Sequence, residues 1–195
     1  MENELHKSIG KKNRERIIDI LCQSFDKNKS VNFVIKPSVN RKPGIRALMQ
    51  YSLEICDMFG QIYLNSEQDA CALVLFPEKK RTTLKTVLLD AKLALSCVGI
   101  TRIWKILDRE AKIKAHYPKT PICYLWFIGV SPEKQSKGKG SSLMRQIIEE
   151  HDNTPIYLET SVPQNIAFYK RFGFDVYADL SFDHQLFLLR RPPSP

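Results

Sequence analysis

The chain has few of the residues that metal centres, disulfide frameworks and membrane spans require. Its five cysteines are odd in number and form no Cys-x-x-Cys pair, and its four histidines form no His-Glu-x-x-His motif. A metal is therefore not expected, and the cysteines are interpreted as reduced core residues. The longest uncharged stretch, residues 120–132, is too short to cross a bilayer.

The charge of the chain is unbalanced but dispersed. The net charge is +9, which favours anionic partners such as nucleic acid, a membrane surface or a phosphorylated cofactor. No run of five basic residues occurs, so a nucleic-acid tail is not expected. The apolar segment 87–107 is interrupted by charges, and a core helix is favoured there over an interfacial one. Residues 1–16 lack the apolar core of a secretory signal, which predicts a cytoplasmic protein.

The length and apolar content predict one globular domain over residues 1–195, because 43% of the residues are hydrophobic. Helical periodicity predicts helices at 11–26, 43–59, 82–115 (in two pieces, broken near Gly99), 139–151 and 163–172. Alternating or continuous apolar runs predict strands at 31–36, 61–65, 70–76, 122–130, 155–160, 174–179 and 184–191. The strand–helix–strand order over 122–160 requires a parallel pair, and the last two strands form an antiparallel hairpin.

A glycine-rich turn, "VSPEKQSKGKGSSLM" (residues 130–144), joins a predicted strand to a predicted helix. A helix N-terminus offers unpaired N–H groups to an anion, and glycine lets a phosphate approach the backbone. The spacing fits neither a P-loop nor a dinucleotide fingerprint, which would need glycine where Leu143 stands. Taken alone, the turn has the chemistry of a phosphate cradle, but a flexible surface turn is favoured.

A second cluster follows in "YLETSVPQNIAFYKRFGF" (residues 157–174). Asn165 and Tyr169 are four residues apart on a predicted helix, so they share a face. Glu159 stands at the end of the preceding strand, where functional groups of parallel strand pairs tend to emerge. This cluster favours the phosphate cradle over the flexible loop.

Together the two clusters resemble the GNAT superfamily of N-acetyltransferases. The family's Gln/Arg-x-x-Gly-x-Gly/Ala signature is similar to residues 135–140, the end of its core strand to residues 128–130, and its later Asn, Tyr and "FYKRFGF" to residues 165–174. The likeness covers about residues 122–180. The pattern looks most like the puromycin N-acetyltransferase-like branch, with a cofactor-binding core at about 120–180 and a helical insertion at about 82–118. The resemblance implies an α+β fold with a mostly antiparallel central sheet, a parallel splayed strand pair and helices on both faces.

The resemblance also implies a site for acetyl-CoA and no metal. The backbone of Ile128 and Val130 is expected to bind pantetheine, and either Lys170 or Arg171 the 3′-phosphate. The remaining implied cofactor-binding residues surround the pyrophosphate or position the cofactor: Gln135, Ser136, Lys137, Gly138, Lys139, Gly140, Ser141 and Asn165.

The implied reaction is transfer of an acetyl group to the primary amine of a small molecule, by direct attack in a ternary complex. Glu159 is the candidate general base, with a structural hydrogen-bonding role as its alternative, and Tyr169 is the candidate acid for the departing thiolate. The Val130 N–H is the candidate oxyanion donor. No nucleic-acid or membrane partner is expected, and the protein is predicted to be a monomer or a homodimer. Two alternatives stay open: an acyl-CoA sensor without turnover, and a basic RNA-binding module.

Overall fold

The computed structural model describes residues 10–35, 41–99 and 102–194, and these build one six-stranded sheet. The strands lie in the order β1-β2-β3-β4-β6-β5, and only the β3–β4 pair is parallel. The strand bounds are β1 Gly60–Leu64, β2 Ala70–Leu75, β3 Cys123–Val130, β4 Ile156–Thr160, β5 Asp175–Ser181 and β6 Gln185–Arg191. The predicted α+β class, with one parallel pair in a mostly antiparallel sheet, is therefore confirmed.

Seven α-helices of the described residues accompany the sheet. Their bounds are α1 Lys11–Ser24, α2 Lys29–Val34, α3 Arg41–Phe59, α4 Leu84–Leu93, α5 Ile103–Lys114, α6 Lys139–Glu150 and α7 Gln164–Lys170. A π-helical turn, Ala94–Val98, extends α4. Apolar residues of α1 and α3 pack on one face of the sheet, and those of α6 and α7 pack on the other.

The central strands are buried on both faces, which explains their continuous apolar character. In β2, Cys71, Leu73 and Leu75 belong to the core under α1 and α3, whereas Ala70 and Val74 belong to the core under α6. The alternation follows from the two-residue period of a strand. Each face thus has its own hydrophobic core, and the sheet separates the two cores.

One predicted strand is wrong. Residues 31–36 have the β-branched and aromatic content of a strand, but α2 occupies Lys29–Val34. The Asn28 side chain caps this helix by accepting a hydrogen bond from the Val31 N–H at 3.1 Å. The Asn32 side chain adds bonds to the carbonyls of Asp26 and Asn28. Local capping by asparagine therefore outweighs the strand propensity of a short segment.

The other predicted elements are confirmed, with ends within two residues of the predicted ones. The expected break near Gly99 is also present. Gly99 has φ +80°, a conformation that favours glycine, and its N–H bonds the Ala94 carbonyl where the π-helical turn ends. At the other end, Thr83 begins α4 with a reciprocal capping box to Thr86.

Candidate active site

A gap opens in the middle of the sheet, between β3 and β4. These strands pair only at Cys123–Ile156 and Tyr124–Tyr157, and beyond this point no further pairing is present among the described residues. Of the six residues of β3 that follow Tyr124, five continue to pair with β2 on the other side. The expected splayed parallel pair is therefore present, and the gap lies between the C-terminal halves of β3 and β4.

A β-bulge marks the start of the gap. Leu73 pairs with Phe127 and Val74 with Leu125, which leaves Trp126 as the extra residue of β3. Trp126 and Phe127 consequently pack toward the same core, under α1 and α3. A bulge bends its strand and increases its twist. The bulge thus turns β3 away from β4 immediately after their last paired residues.

The register of β3 directs backbone groups into the gap. The Ser131 N–H donates to the Asp69 carbonyl at 2.8 Å, so the alternate residues Ile128 and Val130 direct their N–H and C=O groups away from β2. The Val130 carbonyl accepts bonds from the Ser24 hydroxyl at 2.9 Å and the Gln135 amide at 3.2 Å. These contacts brace the end of β3.

The glycine-rich turn follows β3 directly and lies at the surface. Ser136 has φ +61° and Gly138 has φ +77°, so two residues of one short turn adopt left-handed conformations. Gly138 is the N-cap of α6 and gives no side-chain cap. The first N–H groups of α6 are therefore available to an external anion. Alternating left-handed residues also form concave anion-binding backbone.

The two lysines of the turn differ. Lys137 is exposed, whereas the Lys139 ammonium lies 2.8 Å from the Asp69 carboxylate and also pairs with Glu67. Lys139 therefore anchors the start of α6 to the β1–β2 turn. Because these carboxylates neutralise its ammonium, Lys139 has only its backbone N–H to offer to an anion at the turn.

Glu159 lies on β4 beside the gap and is nearly buried. Its carboxylate accepts hydrogen bonds from the Tyr124 hydroxyl at 2.5 Å and the Arg109 guanidinium at 3.0 Å. Burial raises the pKa of Glu159, and the neighbouring Arg109 opposes this rise. A carboxylate with a raised pKa accepts a proton more readily than an ordinary glutamate does, and the two donors hold it in one orientation.

Arg109 and Tyr124 are functional candidates that the sequence did not reveal. Arg109 comes from α5, is 5% exposed, and also pairs with Glu110 at 3.0 Å. Its Nε has no hydrogen-bond partner among the described residues. The sequence contains one feature that marks Arg109: it lies four residues before Ile113, so the two share a face of α5, and they are the two buried residues of this helix. Only the tertiary arrangement shows that this buried face meets β4.

An aromatic wall extends from Glu159 along the same face of the sheet. The rings of Tyr117 lie 5.8 Å from Tyr124 and 5.9 Å from Tyr157, and Tyr124 lies 6.4 Å from Trp126. Tyr51 of α3 packs edge-on against Trp126 and also lines a cavity of about 310 Å³ between α1, α3 and α4. Tyr51, Tyr117 and Trp126 are only partly buried, so this wall is accessible to a ligand.

Tyr169 lies on the opposite face of the sheet, in the core under α6 and α7. It is 7% exposed, and burial raises its pKa to about 12. Its hydroxyl has no hydrogen-bond partner within the part of the chain that the structure describes. Asn165, one turn earlier on α7, is exposed. The candidate acid and the candidate base thus lie on different faces of the sheet, which are connected through the gap between β3 and β4.

Two other chemistries receive no support from this region. The Cys123 thiol is buried in β3, and burial raises its pKa to about 12, so it is not a thiolate at neutral pH. Across residues 10–35, 41–99 and 102–194, no three His, Cys, Asp or Glu side chains converge as metal ligands.

Comparison with known proteins identifies the fold. Residues 52–174 match the sequence model of the Acetyltransferase (GNAT) family. This match covers more than half of the chain.

The chain belongs to the GNAT acetyltransferase family.

Solved GNAT-type structures share the fold at low sequence identity. One is described as histone acetyltransferase HPA2 and related acetyltransferase from Corynebacterium glutamicum, with 20% identity, 96% of this chain and 94% of that chain covered, and a TM-score of 0.69. Arylalkylamine N-acetyltransferase 2 from Aedes aegypti has 12% identity, coverage of 96% and 98%, and a TM-score of 0.60. An N-acetyltransferase from Staphylococcus aureus has 13% identity, coverage of 92% and 95%, and a TM-score of 0.58.

The GNAT match includes the central features of the site. The bulged β3, the gap, the glycine-rich turn and α7 all lie within residues 52–174. Arg109 also lies within this range, but no matched motif predicted its contact with Glu159. In the described ranges, no helix is both long and apolar enough to span a membrane.

Proposed function

We propose that the protein is an acetyl-CoA-dependent N-acetyltransferase that acetylates the primary amine of a small molecule by direct attack in a ternary complex. The observation that carries this proposal is the gap between β3 and β4. A turn suited to a diphosphate stands at its end, and a buried carboxylate stands beside it on the face that carries the aromatic wall.

The cofactor is proposed to lie along the open edge of β3. The backbone groups of Ile128 and Val130 that point into the gap would bind pantetheine as an added strand does. The N–H groups of residues 136–141 would hold the pyrophosphate, and Asn165 would position the cofactor from α7. Gln135 contributes by bracing the Val130 carbonyl, which keeps the edge of β3 in place.

Glu159 is proposed as the general base. The amine must lose a proton before or during attack, and a carboxylate of raised pKa accepts it directly or through one water. Tyr124 and Arg109 hold the carboxylate in one orientation. The Val130 N–H would stabilise the oxyanion of the tetrahedral intermediate.

Tyr169 is proposed as the general acid. The departing thiolate takes the phenolic proton from the opposite side of the gap, and the phenolate then regains a proton from solvent. The phenol is protonated at neutral pH because the ordinary pKa of tyrosine is already about 10, and burial raises the pKa of Tyr169 further, to about 12. No covalent enzyme intermediate is required, so acetyl-CoA and the amine must be bound together.

The acceptor is proposed to be a primary amine that carries an aromatic or apolar group. Tyr51, Tyr117 and Trp126 offer such a group a partly exposed surface beside Glu159. The puromycin-like branch and the cytoplasmic location stay predictions.

Calorimetric titration with acetyl-CoA tests the cofactor part of the proposal. We expect saturable binding well below millimolar cofactor, with desulfo-CoA binding similarly because the turn recognises the diphosphate. If the titration detects no binding at near-millimolar acetyl-CoA, the proposed function is wrong. Binding without thiol release over a broad amine panel would identify the sensor alternative instead.

A further inference from the structure

The basic residues are dispersed along the chain, but their excess over acidic residues is concentrated in one segment. Residues 79–119, here called the basic helical segment, contain eleven of the thirty Lys and Arg residues but only three of the 21 Asp and Glu residues. The rest of the chain is nearly neutral, with nineteen basic and eighteen acidic residues. An excess of eight positive charges, out of nine in total, therefore lies on α4, α5 and the residues that flank them.

The first helix of this segment exposes an apolar stripe. Thr86 and Leu89 of α4 face the protein, while the opposite side of the helix faces solvent. The exposed large apolar residues of this side are Leu84 (77% exposed), Val87 (48%), Leu88 (61%) and, in the π-helical turn, Leu95 (65%). Their spacing places them along one line of the helix. α4 is thus apolar on both sides.

The second helix repeats this arrangement. Arg109 and Ile113 are the buried residues of α5, and the opposite side carries Trp104 and Leu107. Trp104 is 80% exposed, an unusual position for a tryptophan in a protein that contains only two. Exposed apolar patches of this kind mark surfaces that meet a partner.

We propose that the basic helical segment docks the protein on an anionic lipid surface. Leucine, valine and tryptophan on one side of a short helix, with lysine and arginine beside them, are the composition of an interfacial helix. Tryptophan favours the headgroup region, and Lys80, Arg81 and Lys92 are exposed where they can meet anionic headgroups. The sequence had instead favoured a core helix here and no membrane partner.

Charge favours lipid over the other occupants. In a symmetric dimer the same patch faces itself, which would bring exposed cations such as Lys80, Arg81 and Lys92 of the two copies together. Nucleic acid satisfies the charge but gives aliphatic side chains such as Leu84 and Leu95 no favourable contact. An anionic bilayer offers negative headgroups to the basic residues and an apolar interior to the exposed stripe.

Vesicle binding of the protein without cofactor or amine tests the proposal independently of acetyl transfer. We expect sedimentation with phosphatidylcholine vesicles that contain phosphatidylglycerol, weak binding to pure phosphatidylcholine vesicles, and release by salt. Tryptophan emission should shift to shorter wavelength on the anionic vesicles. This shift should vanish in Trp104→Phe, in which the partly buried Trp126 remains as the only reporter.

Matched variants separate the apolar and the charge contributions. Leu88→Ser/Leu95→Ser should lower the partition coefficient about tenfold or more, whereas Val176→Ser, at an exposed valine of β5, should not change it. Lys80→Glu/Arg81→Glu should lower it at least about twentyfold. Lys12→Glu/Lys27→Glu makes the same change of net charge on α1 and the loop after it, and should lower it much less. Thermal unfolding confirms that each variant is folded.

Three outcomes would overturn the proposal. The first is no binding to anionic vesicles, and the second is equal binding of the wild type and Leu88→Ser/Leu95→Ser. The third is salt-dependent RNA binding, or a dimer that the serine variant dissociates, without vesicle binding.

Discussion

At the scale of single residues, the proposed chemistry depends on two buried groups on opposite faces of the sheet. Tyr169 sits among phenylalanines with an unpaired hydroxyl in the described structure, while Glu159 is held by Tyr124 and Arg109. The first group is suited to giving a proton and the second to taking one. Substitutions at these positions therefore affect different parts of the reaction.

Removing the hydroxyl of Tyr169 should affect turnover and not cofactor binding. We expect Tyr169→Phe to lower kcat about a hundredfold, a typical contribution of a general acid, with the dissociation constant of acetyl-CoA nearly unchanged. Tyr63→Phe is the control, because Tyr63 bonds Glu150 on the far side of β2. Equal kcat values for Tyr169→Phe and the wild type would exclude Tyr169 as the acid.

The raised pKa of Glu159 predicts the pH dependence of the rate. The base acts when it is deprotonated, so kcat/KM should rise with pH along a limb that lies above the ordinary glutamate value of about 4.3. Glu159→Gln should lack this limb, and its loss of rate should be greatest above the limb, where the wild-type carboxylate is deprotonated and the amine is still protonated. Unchanged pH–rate curves would leave Glu159 with a structural role only.

In the proposed mechanism, Arg109 affects this limb of the pH–rate curve through the pKa of Glu159, so it is a positioning residue. Arg109→Met removes the cation that lowers the pKa of Glu159, so the acidic limb should move to higher pH by about one pH unit or more. Arg109→Lys should restore part of the difference. Arg102→Met is the control, because Arg102 of the same segment bonds the carbonyls of Ile35 and Phe33. A limb that stays in place in Arg109→Met would contradict this role.

At the scale of elements, the glycine-rich turn should bind through its backbone. A Cβ at Gly138 would meet no atom within 4 Å, so Gly138→Ala strains only the left-handed conformation. Relief of that strain would move the first N–H groups of α6, and we expect acetyl-CoA affinity to fall at least about tenfold. Lys137→Ala should lower it by less than about fivefold.

Gly173 supplies the matched control for this prediction. Its φ of +78° is nearly that of Gly138 (+77°), but it lies in the turn after α7, and a Cβ there would meet only the Arg191 side chain. Gly173→Ala should lower the melting temperature without changing the affinity for acetyl-CoA. If Gly173→Ala and Gly138→Ala weaken the cofactor equally, the turn has no special part in binding.

The elements also show how far sequence periodicity reaches. The long amphipathic helices and buried strands were predicted because their patterns repeat over many residues. In contrast, α2 has only six residues, so its strand-like composition misled the prediction and the asparagine cap decided its conformation. The position of β6 between β4 and β5, and the bulge at Trp126, depend on tertiary packing. The Arg109–Glu159 contact was also outside prediction, because it joins residues fifty positions apart on separate elements.

At the scale of the whole molecule, the sheet separates two sites of different character. The α6–α7 face carries the glycine-rich turn and Tyr169, and the α1–α3 face carries Glu159 and the aromatic wall. Between these faces, β3 and β4 are unpaired beyond Tyr124 and Tyr157. In the proposed mechanism, a donor and an acceptor bound on the two faces meet at the gap between β3 and β4 without a covalent intermediate.

The most direct test is therefore the release of free CoA thiol from acetyl-CoA over a panel of primary amines. The panel should include arylalkylamines, puromycin, polyamines and amino-acid derivatives. We predict thiol release that requires an amine, is fastest with aromatic amines, and is strongly reduced in Tyr169→Phe and Glu159→Gln. Absence of amine-dependent release across the panel, with acetyl-CoA bound, would contradict the account.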